Sequence, residues 1–200
     1  HSMTSRDNGE TWTWPRVLHD SAIDDRDSGC LETVKGTLIV TTFSSLAYEP
    51  MLKKASALAE HTDKGWVTKG MTPEQFAKWK AAHERLNDEE RKAELGEWLL
   101  RSTDGGLSWS TRIKTIVNSP HGPVQLSDGR LLYAGKQLWN DEKKIGVCES
   151  KDDGQTWQWL AEIPTRAGDA EAKANYHELH AVEAKDGTLI AQIRNHNKQN

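Results

Sequence analysis

One pattern recurs three times along the 200-residue chain, and it constrains the fold more than any other feature. The pattern is Ser-x-Asp-x-Gly-x-x-Trp, and it occupies residues 5–12, 102–109 and 150–157. Ser and Asp side chains accept hydrogen bonds from turn amides, and Gly adopts backbone conformations that other residues avoid. The Trp folds its large apolar area back onto the flanking strands. We therefore predict that each segment, called a repeat turn below, joins two β-strands.

The spacing of the repeat turns predicts a β-propeller. The second and third begin 48 residues apart, which fits one four-stranded blade, and the first and second begin 97 residues apart. Apolar, β-branched runs divided by a Gly turn predict the inner two strands of three blades. These runs are 31–34 with 37–43, 124–126 with 131–134, and 181–182 with 188–193. We predict an all-β fold in which residues 1–200 supply about three propeller blades.

The double spacing between the first two repeat turns predicts a helical insertion in one blade, over residues 50–96. Thr72-Pro73-Glu74-Gln75 opens a helix well, with Thr as the N-cap, Pro at the first position and Gln at the third. Ala, Lys, Glu and Leu dominate the residues that follow. The insertion leaves the end of a second strand, a position that suits a ligand lid, a substrate wall or an assembly surface.

Composition narrows the classes of partner. A net charge of −4 provides no basic footprint, so we expect no nucleic-acid partner. No apolar run approaches the roughly 20 residues that span a bilayer, so we expect no membrane span. No cationic start is followed by an apolar stretch, so no signal peptide is visible in the sequence.

Three features together resemble a known family. The repeat turns match the Asp-box, the repeat of bacterial neuraminidases, and residues 119–135 and 178–195 resemble two successive blades of the sialidase (neuraminidase) superfamily. The resemblance covers nearly the whole chain except the insertion. It implies a sialidase-like, six-bladed β-propeller, partly present here, and a secreted or periplasmic protein.

The same resemblance assigns two catalytic residues, since Glu178 opens a strand and Arg194 follows the next strand, as in sialidases. It implies that Glu178 polarises a tyrosine nucleophile and that Arg194 is one of three arginines that bind the sialic acid carboxylate. The chemistry is reasonable, because a guanidinium pairs two-pronged with a carboxylate and a tyrosine needs a base. No metal or cofactor is implied.

The family's remaining catalytic residues lie outside the segments that match. Its first arginine and acid/base aspartate precede the first Asp-box, and its third arginine and tyrosine follow the last matched hairpin. Tyr48, Tyr133 and Tyr176 do not occupy the nucleophile position. We therefore expect this chain alone to be an incomplete sialidase site. We also expect further blades, or a second chain, to cover its open strand edges.

Six further residues lie where inner strands begin or second strands end, and are candidates for substrate binding: Arg26, Asp27, His121, Trp139, His180 and His196. Arg26 and Asp27 belong to a charged run that loop solvation also explains. Trp139 suits either stacking on a sugar or core packing. The three histidines suit either sugar contacts or the ordinary polar lining of a propeller mouth. A metal at His177, Glu178 and His180 is disfavoured, since the helical His-Glu-x-x-His motif is absent.

Two function classes remain open. The first is a sialidase-like glycoside hydrolase that acts on terminal sialic acid or a related acidic sugar. The second is a non-catalytic propeller that binds a glycan or a protein. Glu178 and Arg194 together favour the enzyme. A different sugar acid or a different reaction also stays open, since His180 stands where sialidases commonly carry Gln and His121 lies within a Gly/Ser-rich strand start.

Overall fold

The computed structural model describes residues 1–61, 72–169 and 172–196. The chain divides into two compact units. The first comprises His1–Asp25 and Ser44–Leu95, and the second comprises Arg26–Phe43 and Gly96–Asn200. Most of the strands belong to the second unit, and the helices described between residues 49 and 93 belong to the first.

The strands in the described residues are β1 (Asp24–Arg26), β2 (Cys30–Glu32), β3 (Leu38–Ser45), β4 (Gly96–Ser102), β5 (Ile113–Lys114), β6 (Val124–Gln125), β7 (Leu131–Lys136), β8 (Ile145–Ser150), β9 (Gln158–Glu162), β10 (Tyr176–Glu183) and β11 (Leu189–Asn195). The helices there are α1 (Glu49–His61), α2 (Pro73–His83), α3 (Asp88–Ala93) and α4 (Ala172–Asn175).

The middle sheet is a complete four-stranded blade. Its strand order is β6-β7-β8-β9, with each strand antiparallel to the next along the chain. The register pairs Val124 with Leu132 and Leu132 with Glu149. The third repeat turn joins β8 to β9, as the sequence predicts.

The first sheet has a similar strand order, but helices interrupt the chain between two of its strands. Its order is β1-β3-β4-β5, and β2 also pairs with β3. Three helices, α1 to α3, lie between β3 and β4, so this blade carries a helical insertion. Residues 62–71 of the insertion lie outside the described residues. The last sheet, β10-β11, is an inner hairpin.

Hydrogen bonds explain why the repeat forms the same turn three times. The amides of Gly9, Gly106 and Gly154 each donate to the hydroxyl of the serine four residues earlier, at 2.8 Å. The aspartates accept from the amide four residues later, at 2.9 Å for Asp7 and 2.8 Å for Asp152. The short polar side chains thus satisfy turn amides that the strands leave unpaired.

Alternating apolar residues build the core between sheets. One buried cluster joins the inner face of the middle blade to the last hairpin, and its members are Leu126, Leu132, Ala134, Ile145, Tyr176, Leu179 and Ala181. A second cluster joins Ile39 and Leu99 of the first sheet to Leu131 of the middle blade. Each blade therefore buries its inner strands against the next one.

In the first unit, two capping boxes begin the insertion's shorter helices. Thr72 caps α2, where its hydroxyl accepts from the Gln75 amide and the Gln75 side chain accepts from the Thr72 amide. Asn87 and Glu90 cap α3 in the same way. The helix start at Thr72 is confirmed, and its cause is the reciprocal satisfaction of two free amides.

The strand order confirms the all-β propeller architecture, with about three blades present and a helical insertion in one of them. Within the described residues, no helix combines the length and apolar character needed to cross a bilayer.

Candidate functional site

The starts of the first two inner strands lie in backbone contact. A Cβ on Gly29 would lie 2.3 Å from the amide nitrogen of Gly122, so neither a side chain nor a solvent layer separates the two segments. Gly122 has φ +72°, a conformation that glycine adopts without steric cost. The two glycines therefore bring the strand starts of neighbouring blades to one edge.

The third inner strand begins at the same edge. The Ser119 hydroxyl donates to the Leu179 carbonyl. The rings of His121 and His180 lie 5.5 Å apart, edge to face. Two of the candidate histidines thus meet, from neighbouring blades. Both side chains are exposed, so they are accessible to a ligand.

Glu178 and Arg194, the two candidate catalytic residues, form an ion pair. The register pairs His177 with Arg194 and His180 with Gln192, so Glu178 and Leu179 together stand opposite one residue of β11. Glu178 has φ +50°, a left-handed conformation that is uncommon for a non-glycine residue. This β-bulge buries Leu179 completely and directs the Glu178 carboxylate to Arg194.

His196 contacts His177 rather than the other candidate histidines. The rings of His177 and His196 lie 4.9 Å apart. A regular strand would direct His177 away from Glu178 and His180, but the bulge changes the alternation. Burial lowers the pKa of His177, and the positive charge of Lys136 lowers it further. This histidine pair was not expected from the sequence.

Lys136, whose charge acts on His177, was not among the candidate residues that the sequence indicated. It ends β7 and is 7% exposed. Burial lowers its pKa, and so does the nearby charge of Lys143. Its burial could have been predicted from its position, because Lys136 follows Leu132 and Ala134 at every second residue, on the face that enters the core.

Trp139 follows β7 and is 41% exposed, so its indole is open to a ligand. The segment that carries it is held by Glu97, whose carboxylate accepts from the Leu138 amide at 2.8 Å. Glu97 is buried, and burial raises its pKa despite this hydrogen bond. No sequence pattern indicated that a residue of β4 would position the second-strand end of the middle blade.

Arg26 and Asp27 lie at the start of the first blade's inner strands. The Arg26 carbonyl accepts from the Thr42 hydroxyl at 2.8 Å. Asp27 is exposed and has φ +43°. Their role in substrate binding stays a prediction, as does that of Trp139. Across the described ranges, no group of three or more His, Cys, Asp or Glu side chains is arranged to hold a metal ion.

Comparison with solved structures supports the fold. A protein of unknown function from Dyadobacter fermentans superposes with a TM-score of 0.59 at 19% identity, over 96% of this chain and 50% of that one. At this identity the likeness shows the fold alone. The chain spans half the length of that protein.

Two enzymes superpose less well. They are an α-L-arabinofuranosidase from Fusarium graminearum (TM-score 0.43, 16% identity, 84% of this chain and 44% of that one) and an α-L-arabinanase from Penicillium chrysogenum (0.42, 17%, 86% and 46%). No protein-family model and no curated protein matches the sequence.

Proposed function

We propose that this chain forms part of a glycoside hydrolase of the propeller type, acting on terminal sialic acid or a related acidic sugar. The observation that carries the proposal is the Glu178–Arg194 ion pair, at the edge where the blades' inner strands begin. Both side chains are about half exposed, with 55% of Arg194 and 39% of Glu178 open to solvent. A ligand can therefore reach both groups without moving the core.

The pair suggests how substrate binding prepares the site. A substrate carboxylate competes with Glu178 for the Arg194 guanidinium, which binds carboxylates in a two-pronged geometry. Once released, Glu178 accepts the proton of a tyrosine nucleophile supplied by a part of the protein beyond this chain. Sialidases depart from the usual two-carboxylate scheme of glycosidases through such a tyrosine.

The test uses a longer protein that contains this chain, assayed with a fluorogenic sialoside. We expect Glu178→Gln to lower kcat by about 100-fold or more, as loss of a general base does. Arg194→Ala should mainly raise KM. Lys185→Gln is the matched control, because it lies on the exposed turn at the other end of the same hairpin. Unchanged turnover in Glu178→Gln would refute the assigned role.

A non-catalytic glycan- or protein-binding propeller is the second candidate. It is favoured by the closed Glu178–Arg194 pair and by the exposed His121–His180 contact, which together offer recognition groups without a nucleophile. Binding of an acidic glycan without any turnover in the longer protein would select this function.

A further inference from the structure

Lys136 is a charged residue that is mostly buried. Its backbone is fixed, since its amide and carbonyl both bond to Asn118 at 2.9 Å. Its side chain shares the strand face of Leu132 and Ala134, which pack with Tyr176 and Leu179 of the last hairpin. The Lys136 charge acts on His177, so the ammonium group lies near the start of β10, beside the candidate site.

The charge of this ammonium group is not offset by a carboxylate among the described residues. Within the part of the chain that the structure describes, no Asp or Glu lies at ion-pair distance from Lys136. The charged group that perturbs its pKa is another cation, Lys143. An uncompensated charge in a buried position is costly, and such charges in proteins are paired or bind an ion. The position is thus suited to an external anion.

The neighbouring histidines add hydrogen-bonding groups beside the ammonium. The His177 and His196 rings lie 4.9 Å apart at the same strand ends, and the Lys136 charge acts on His177. An imidazole ring carries at least one N–H donor in either protonation state. Glu178 and Arg194 cancel each other's charge as a pair. Lys136 is the buried cation of this corner. The Lys143 charge also acts on it, and the Asp169 carboxylate accepts hydrogen bonds from Tyr176 and Asn195 at the same strand ends.

We propose that Lys136, together with His177 and His196, forms a subsite for a single carboxylate. The buried Lys136 ammonium supplies the charge that pairs with a carboxylate, and the two imidazole rings supply hydrogen-bonding nitrogens beside it. The inference rests on the proposed function for the identity of the acid, a sugar carboxylate, but not for the anion subsite itself. A sugar with one carboxylate cannot place it in both positions, so this subsite is an alternative to the carboxylate contact proposed for Arg194, which already pairs with Glu178.

The test is calorimetric titration of the protein with N-acetylneuraminic acid and with its uncharged methyl ester. We expect the acid to bind the unmodified protein and Lys136→Met to weaken that binding by about tenfold or more, while affinity for the ester stays unchanged. Lys136→Arg keeps the charge and should retain most of the affinity. Equal affinity of the acid for the unmodified protein and Lys136→Met overturns the inference.

A second measurement separates this inference from the proposed function. In protein labelled with 15N-lysine, the Lys136 side-chain signal, assigned from Lys136→Met, is followed during titration with acetate. A saturable shift supports the anion subsite even if no sialoside is bound or cleaved, which would refute only the acidic-sugar function. Absence of a shift overturns the subsite, and a fall in acid affinity in Arg194→Ala alone would then leave the proposed function standing.

The variant should fold. Lys136→Met replaces a buried, unpaired charge with an apolar side chain of similar length, a change that is often neutral or stabilising. If its thermal midpoint nevertheless falls, Lys136→Gln, which keeps a polar end without charge, gives the same comparison.

Discussion

The guanidinium of Arg101 and the carboxylate of Asp153 lie 3.0 Å apart and join two blades. Arg101 belongs to β4 of the first sheet, and Asp153 belongs to the repeat turn of the middle blade. The Thr37 hydroxyl also donates to Asp153, at 2.6 Å, and the Arg101 Nε donates to its carbonyl at 2.8 Å. A turn that closes one blade thus also fastens it to the preceding one.

Removing one partner of this pair should destabilise the propeller. Both side chains are mostly buried, at 15% and 9% exposed, so Asp153→Ala leaves the Arg101 charge without its partner. We expect a loss of about 2–4 kcal/mol in the free energy of unfolding, measured by urea denaturation. Glu142→Ala, which breaks the exposed pair with Lys144, is the control and should leave the midpoint unchanged. Equal effects of the two variants would exclude the inter-blade role.

Stability should fall in acid because of the repeat-turn carboxylates. Hydrogen bonds from the hydroxyl and amide of Thr11 hold the pKa of Asp7 at about 2, and those from Ser108 do the same for Asp104. A pKa below the ordinary 3.8 means that the folded state binds fewer protons than the unfolded state. Their contribution is therefore complete above about pH 5 and is lost toward pH 2. Urea midpoints at pH 6, 4 and 3 measure this loss of stability. The midpoint of Asp104→Asn should fall less steeply as the pH is lowered.

Glu97 should show the opposite pH dependence. Burial raises its pKa above the ordinary 4.5, so its contribution is present at low pH and is lost as pH rises through the raised value. Glu97→Gln keeps an acceptor for the Leu138 amide without the charge, and it should raise the thermal midpoint at pH 8 but not at pH 4. Glu97→Ala leaves the Leu138 amide unpaired and should lower the free energy of unfolding by about 1–3 kcal/mol at both pH values. A midpoint for Glu97→Gln that is lowered at pH 8 would contradict this account.

Gly29 should not tolerate even a methyl group. A Cβ there would lie 2.3 Å from the Gly122 nitrogen and 2.4 Å from its Cα, and backbone atoms cannot move aside as a side-chain end does. We expect Gly29→Ala to cost about 3 kcal/mol or more. Gly187→Ala is the comparison, since Gly187 has φ +83° but open space around it. It should cost only about 1 kcal/mol. Calorimetry of both variants separates steric overlap from backbone strain.

Arg91 should hold the helical insertion together. It is 6% exposed, and its guanidinium bonds to Glu49 at 3.0 Å and to the His83 carbonyl at 3.1 Å. Arg91→Ala leaves these groups without their donor, and we expect a loss of about 3–5 kcal/mol. Hydrogen exchange of α2 and α3 should rise well before that of β7. Lys80→Ala, which breaks an exposed pair with Glu84, should cost less than about 0.5 kcal/mol.

The sequence by itself determined the blade pattern. Three copies of one turn, and three Gly-divided apolar runs, depend on local geometry and alternation, which short segments encode. The helix start at Thr72 was equally local, since its cap involves residues three apart. Glu178 and Arg194 were singled out by the resemblance to sialidase blades, and the Gly turn between their strands predicted that both lie at one end of the hairpin.

Only the tertiary structure decided which side chains meet. The bulge at Glu178 and Leu179 depends on Leu179 filling a core shared with another blade, and it moved His177 toward His196. Glu97 reaches Leu138 across 41 residues of sequence, and Lys136 acts on His177 across a blade boundary. Such contacts arise from packing between sheets, where burial and distance follow from the whole fold rather than from any pattern of neighbouring residues.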